Sequence, residues 1–287
     1  MDRFSEKQIQ IARQRDELIV GYPALWQKIV TEWKSPGPDR AWLTYSANYL
    51  FCTGDVRWAL DPLTLNWRLK DAAPKVDISD LGDASFILLT HRHEDHLDLG
   101  LLAALRHFPI CWVVPEPILT QVTEQAGILR EKIIIPKSLQ LIELNGICIT
   151  PFDGLHWETE SDGTLRGVPS TGYLIEWGGK RWLFPGDTRT YDAFQLPDFG
   201  PLDGLFAHLW LGRTCALLEP PQLLNPFCQF FARLQPDHIV LTHLMEFGRA
   251  ADDYWDGSHA QMIMSLFGEQ FRHIRISHAF TGQKVLL

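Results

Sequence analysis

Two things are missing from this 287-residue chain: a continuous apolar run of membrane-spanning length, and any CxxC pair among its five cysteines. The first absence argues against a helical membrane span, which needs about 20 consecutive apolar residues. The second removes the paired thiols of structural zinc sites and thioredoxin-like redox centres. Cys52, Cys111, Cys148, Cys215 and Cys228 are instead scattered, mostly in apolar segments where a small reduced thiol packs well. Positive charge is also short, with 26 Lys and Arg against 35 Asp and Glu and a formal charge of −9, so nothing draws the chain generally to nucleic acid or anionic lipid. The opening MDRFSEKQIQIARQRDEL has no apolar core of a signal peptide. Together these absences predict a cytoplasmic protein with no nucleic-acid partner and no transmembrane segment. Internal repeats and low-complexity tracts are absent as well.

A hydrophobic content of 46% lets the chain bury the core of one large domain, with or without a small extension. Residues 5–34 place Ile9, Ile11, Ala12, Leu25, Ile29 and Val30 at helical spacing, interrupted by Gly21-Tyr22-Pro23, which predicts two short helices. SPGPD at 35–39 ends them. Residues 1–38 therefore form an N-terminal helical extension, suited to packing on the fold or to a homo-oligomer contact, and residues 39–287 form the main domain. In the main domain, short β-type runs come first (AWLTYS, NYLFCT, VRWALDP). Strands and helices then alternate: ASFILLT, helical LGLLAALRHF, CWVVP, helical PILTQVTEQAG, KIIIP and GICITPF. TGYLIEW and KRWLFPG flank Gly178-Gly179 as a hairpin. LDGLFAHLW and DHIVLTH are further strands around a helical 221–234, and a helix near 258–267 precedes HIRIS and KVLL. Such alternation indicates a layered α/β architecture.

Conspicuous polar residues follow four of these apolar runs: FILLT leads to HRHEDH, ITPFDGL to His156, WLFPG to Asp187 and IVLT to His243. Convergence at one sheet edge is the simplest arrangement, because rigid strand ends fix reactive groups while loops vary. Between His91 and His96 three histidines and two acids occupy six positions, and these are the side chains that bind borderline metal ions. His91 and His93, two apart in an extended segment, point to one side, and the turn after them can carry Asp95 and His96 to a neighbouring ion. Taken singly, a charged turn, a hydrogen-bonded core histidine and a Gly-Asp turn are the ordinary readings of HRHEDH, His156 and Asp187. Their order along the chain and their shared placement favour a site.

HxHxDH, a lone His, GD and TH, preceded by Asp61 in WALDP, resemble the motifs of the metallo-β-lactamase superfamily, in the family's order from Asp61 to His243. The resemblance implies a four-layer αββα sandwich. It implies that His91, His93 and His156 hold one divalent ion, that Asp95, His96 and His243 hold a second, and that Asp187 bridges them. It also implies that Asp61 orients a ligand histidine. Zinc is the default, while His and carboxylate donors accept manganese or iron too. The activity it implies is dinuclear metal-dependent hydrolysis, a hydroxide shared by the ions attacking an ester, lactone or phosphodiester of a small or lipid-like substrate. No cysteine stands at a ligand position, unlike the best-known class B β-lactamases. THRHEDHLD, FPGDTRTYDAF and GPLDGLFAHLWLG are similar to the branch holding ascorbate 6-phosphate lactonase and the phospholipase D that hydrolyses N-acylphosphatidylethanolamine.

Beyond the ligands, Asp95, His208 and Arg189 are candidate catalytic residues: His208 replaces the branch's apolar strand end, and Arg189 can pair with a phosphate. His259 and His278, with Trp157 and Trp210, are candidates for the pocket wall. His107, His238 and His273 read as structural. Loops 62–80, 156–170 and 244–258 are left to choose the substrate. Three other functions compete. An RNA-processing metallo-nuclease would need a basic insertion that this chain lacks, and a diiron redox enzyme would need length for a flavin domain. A non-catalytic metal-binding protein of the same fold is the third.

Overall fold

A computed structural model describes residues 1–287, the side chain of Trp67 excepted. Its first element corrects the expectation of two helices, for α1 runs unbroken over Arg3–Lys34 with Pro23 inside it. An internal proline costs a helix about 3 kcal/mol. Against that cost stand Tyr22 and Trp26, one turn apart and both fully buried. Aromatic side chains bury about 150–250 Å² each, which at ~25 cal/mol per Å² stabilises by roughly 4–6 kcal/mol per ring. The Tyr22 hydroxyl also donates to the Thr44 carbonyl at 2.7 Å, and Trp33 Nε1 donates to the Phe51 carbonyl at 2.7 Å. Packing thus outweighs the local break signal.

The described residues form two seven-stranded mixed sheets and a two-stranded ribbon, in two compact units. One unit comprises Leu18–Pro151 and Thr281–Leu287. It holds β1 (Arg40–Leu43), β2 (Tyr49–Thr53), β3 (Val56–Leu60), β4 (Phe86–Leu88), β5 (Cys111–Val113) and β6 (Ile133–Ile134). With β16 (Lys284–Leu286) these make the sheet β16-β1-β2-β3-β4-β5-β6. Pairing is antiparallel from β16 to β3 and parallel from β3 to β6. Phe51, Trp58 and Phe86, directly opposite one another across β2, β3 and β4, stack at 3.9 and 5.4 Å between ring centroids. Besides the second half of α1, the helices here are the single turn α2 (Asn66–Leu69) and α3 (Leu99–Leu105), the latter capped by Asp98, which accepts from the backbone of Gly100 and Leu101 at 3.0 Å. The expected helix at PILTQVTEQAG is irregular: a 3-10 turn over Glu116–Ile118 leads to a wide turn over Gln121–Gln125, with Gly127 in the left-handed region beyond it.

The second sheet opens with β7 (Ile142–Leu144) and β8 (Ile147–Asp153), a hairpin turned by Asn145-Gly146 with both residues at positive φ. The other unit, Met1–Glu17 with Phe152–Phe280, carries the ribbon β9 (Trp157–Thr159) and β10 (Leu165–Gly167). It also carries β11 (Thr171–Trp177), β12 (Lys180–Phe184), β13 (Gly204–His208), β14 (His238–Thr242) and β15 (Arg275–His278). The ribbon and β7 escaped the sequence reading, although Asn-Gly is the strongest two-residue hairpin signal. Gly178 and Gly179, at φ +53° and +81°, turn β11 into β12 as expected. From β12 to β15 the strands are parallel. Their core is filled from α4 (Leu224–Arg233), whose Phe227 and Phe231 meet at 4.6 Å between ring centroids, and from α5 (Gly257–Gln270).

The polar clusters do follow strand ends, but not of one sheet. Asp61 and His91 follow β3 and β4 of the first sheet; His156, Asp187 and His243 follow β8, β12 and β14 of the second. Parallel β3 and β4 place their C-terminal ends on one side of the first sheet, as parallel β12, β13 and β14 do in the second.

Candidate metal centre

In the first unit the anchor is Asp61, fully buried and held at φ +43°. Its backbone N–H donates to the Leu88 carbonyl at 2.9 Å, tying the end of β3 to the end of β4. Asn48 Nδ2 donates to the carbonyls of Asp61 and Asp95, at 2.8 and 2.9 Å, and so pins the turn. The Asp61 carboxylate accepts from the Thr90 backbone at 2.8 Å, from the Thr90 hydroxyl and from His96 Nδ1 at 2.8 Å. Burial pushes this carboxyl's pKa up, while the bonds from His96 and Thr90 oppose the rise. With Nδ1 committed to Asp61, His96 offers Nε2 as its basic nitrogen.

Thr90 transmits the same order to His91. Its single hydroxyl proton goes to Asp61, so the His91 Nδ1–H donates to the hydroxyl oxygen at 2.9 Å and Nε2 is the basic atom. His91 Nε2 and His93 Nδ1 lie 3.1 Å apart. Two nitrogens about 2.0–2.1 Å from one tetrahedral ion would be separated by roughly 3.3 Å, so the spacing suits a shared ion. Asp95 Oδ2 is 3.9 Å from His96 Nε2.

In the second unit the centre of the arrangement is Asp187. Its Oδ2 lies 3.7 Å from His156 Nε2, and its Oδ1 lies 3.9 Å from His243 Nε2. His208, the last residue of β13, donates from Nδ1 to Asp187 Oδ1 at 2.8 Å, and its ring stacks on that of His243 at 5.3 Å. All four residues are buried. His243 adopts φ +62°, a left-handed conformation uncommon outside glycine that concentrates at functional sites. Glu246 Oε2 stands 3.6 Å from His243 Nε2, and Arg249 donates from Nε to that carboxylate and from Nη1 to Asp253 at 3.1 Å. A small recess opens here, walled by Arg189, Trp210 and Arg249.

Arg189 donates from Nη1 to Glu158 at 2.9 Å and lies over the Trp210 ring at 4.9 Å. Trp210 lines the recess as expected, whereas Trp157 is not among its walls. His259 serves α5: its Nδ1 lies 3.1 Å from the Asp256 backbone nitrogen and 3.0 Å from Asp256 Oδ1, and its Nε2–H donates to the Ala216 carbonyl at 2.7 Å. His278 contacts Met264 Sδ at 3.4 Å and the Phe280 ring. Asn48, Thr90, Glu246 and Arg249 were missed from sequence. Thr90 stands inside the quoted THRHEDH, and Glu246 and Arg249 follow the TH of β14 at three-residue steps, but nothing local marks them off from ordinary polar residues.

The groups able to hold a divalent ion comprise His91, His93, Asp95 and His96 on one unit and His156, Asp187 and His243 on the other. These donors are imidazoles and carboxylates without cysteine, a set that zinc, manganese and iron all accept.

The sequence model of the beta-lactamase superfamily domain matches residues 59–244, and the chain belongs to that superfamily. The match spans Asp61 and all seven residues just named. A UPF0173 metal-dependent hydrolase of Deinococcus radiodurans is 27% identical over 172 residues, 54% of this chain and 70% of its own length. Among solved structures, the metallo hydrolase Igni18 of Ignicoccus hospitalis superposes with a TM-score of 0.61 at 18% identity, over 87% of this chain and 98% of its own. CmlA, a diiron β-hydroxylase of Streptomyces venezuelae, gives 0.62 at 17% identity, over 88% of this chain and 55% of its own. These structural likenesses establish the fold, an α/β metallo-β-lactamase fold.

Proposed function

We propose that this chain is a dinuclear metal-dependent hydrolase of ester, lactone or phosphodiester bonds. The observation that carries the reading is Asp187: one oxygen faces His156 and the other faces His243, an arrangement that would let one carboxylate serve two ions. His91, His93 and His156 would hold one ion, Asp95, His96 and His243 the other. Two divalent ions, zinc by default, would supply an acidified water and positive charge for a developing oxyanion. The chain's own residues prepare for this. Asp61 holds the tautomer of His96 directly and that of His91 through Thr90, while His208 orients the Asp187 carboxylate through Oδ1. Arg189 and Trp210 flank the approach, and a guanidinium there suits a substrate bearing phosphate. That feature and the FPGDTRTYDAF segment support placing the chain near the lactonase and phospholipase branch. All five cysteines are free, in keeping with a reducing cytoplasm. The family match begins at residue 59, which supports treating residues 1–38 as an extension of a hydrolase domain formed by 39–287.

The test pairs metal content of the purified protein with a screen of phosphodiesters, phosphomonoesters and lactones. Two ions per chain, with turnover abolished by a chelator and restored by zinc or manganese, are expected. Iron accompanied by oxygen consumption would replace hydrolysis with redox chemistry, and a chain that takes up no metal would end the proposal.

A further inference from the structure

All of α1 precedes the segment that matches the superfamily, yet its first half, up to Glu17, belongs to the same compact unit as His243. The connection between them is buried. Lys7 Nζ is ion-paired with the Asp256 carboxylate, the two side chains being only 11% and 5% exposed, and it lies 5.7 Å from the centroid of the Tyr254 ring. Tyr254, itself fully buried, donates its hydroxyl to Gln14 Oε1 at 3.0 Å. Lys7 and Gln14 are seven residues apart, two helical turns, so a single face of α1 grips both Tyr254 and Asp256.

These two residues close the loop that starts at His243. That loop has little regular structure of its own, a 3-10 turn over Ala251–Asp253, and His243 and Met245 both sit in the left-handed region, at φ +62° and +59°. Conformations of this kind persist where surroundings over-determine them. The surroundings are identifiable: the Met245 N–H donates across the loop to the Trp255 carbonyl at 2.8 Å, between the two gripped residues. Asp256 then anchors the far side by capping α5 through Ser258 and His259. Burial works against ionising Asp256, but His259, Lys7 and Ser258 together hold its pKa below the ordinary carboxylate range, so the ion pair is maintained near neutrality.

We propose that Lys7 is a positioning residue for the metal centre: through Tyr254 and Asp256 it holds the 243–256 loop in the form that presents His243. The proposal rests on His243 being a metal ligand, as argued above. It gives the N-terminal helix a role in the site.

The experiment compares the full-length protein with Lys7→Met, and with Lys28→Met as a control on the part of α1 that lies in the other unit. Two quantities are read, backbone hydrogen exchange of residues 244–256 and stepwise titration with Co²⁺ followed by its visible absorption. Lys7→Met should speed exchange in the loop by about tenfold or more while β14 keeps its protection. It should also weaken one cobalt-binding step about tenfold and leave the other unchanged, a selective loss that general destabilisation does not produce. Lys28→Met should change neither. Unaltered loop exchange, or two cobalt steps weakened equally or not at all, would overturn the proposal. A wild-type protein that binds no cobalt removes the metal reading itself, and loop exchange then still decides whether Lys7 holds the loop. Should Lys7→Met fail to fold, Gln14→Ala loosens the same grip more mildly and is expected to speed loop exchange about threefold.

Discussion

His91, His93, Asp95 and His96 come from six consecutive residues after one strand, whereas His156, Asp187, His208 and His243 come from the ends of four strands of the other sheet. The two halves also divide labour differently. In the first, a fully buried carboxylate, Asp61, sets tautomers through Thr90 and His96 and stands behind the proposed ligands. In the second, Asp187 is at once a proposed ligand and the group that faces both histidines, with His208 supporting it from behind. A short local turn can be ordered by one neighbour. Dispersed strand ends need a residue that all of them meet.

The sharpest way to break this comparison is to remove the shared carboxylate. Asp187→Ala should reduce turnover by on the order of a thousandfold, several kcal/mol in the barrier, and lower metal content below two ions per chain. Retention of both ions would show that the second half is not organised around Asp187.

Asp61→Asn is the matching change in the first half, and its effect should be smaller because no donor is lost from the ions. The amide nitrogen would meet the Thr90 hydroxyl and His96 Nδ1–H, donor against donor, disturbing the tautomer of His96. A loss of roughly 10–100-fold in metal affinity is expected, with His208→Ala in the same range on the other side. Equal metal affinity in wild type and Asp61→Asn, measured by competition with a chelating dye, would remove the orienting role.

Two histidines at opposite ends of β14 sharpen the contrast between site and scaffold. His238 begins the strand, donates from Nε2 to Ser277 Oγ at 2.7 Å and accepts at Nδ1 from Arg275 at 3.0 Å. Burial, with Arg275 adding to it, pulls its pKa down to about 4. The unfolded chain therefore binds the proton more readily, near pH 6.5. The neutral His238 contributes its stability in full above about pH 6.5 and loses it as pH falls toward about 4. His238→Gln should accordingly flatten the decline of unfolding free energy between pH 7 and pH 4, by about 2 kcal/mol at most, without altering metal uptake. An unchanged slope would show that other groups carry the acid sensitivity.

Smallest of all is Asp98→Ala. Asp98 ends the THRHEDHLD motif, yet it caps α3. A stability loss of about 1 kcal/mol in urea unfolding, with turnover within twofold of wild type, is expected. A large loss of turnover would mean that the turn and its helix are functionally one piece.

Most strands were legible because apolar runs and turn residues are covalently adjacent, and the Gly178-Gly179 hairpin formed where those residues stand. The ribbon of β9 and β10 was not, for its half-exposed WET and exposed LRG carry no apolar pattern. Within the candidate centre, the residue types of the 91–96 turn were readable because they crowd together. Glu246, Arg249 and Lys7 were not, since their significance lies in what they face: His243, Asp253 and Asp256.

By itself, the order of residues determined the donor set, its absence of cysteine, and the placement of each candidate ligand after an apolar strand, since all of these depend on near neighbours. Tertiary structure alone decided that Pro23 lies within an unbroken helix, that the strand ends belong to two sheets, that His208 supports Asp187, and that α1 reaches the loop of His243. Those outcomes depend on aromatic burial and on buried polar pairs between segments far apart in the chain, where packing outweighs local preference.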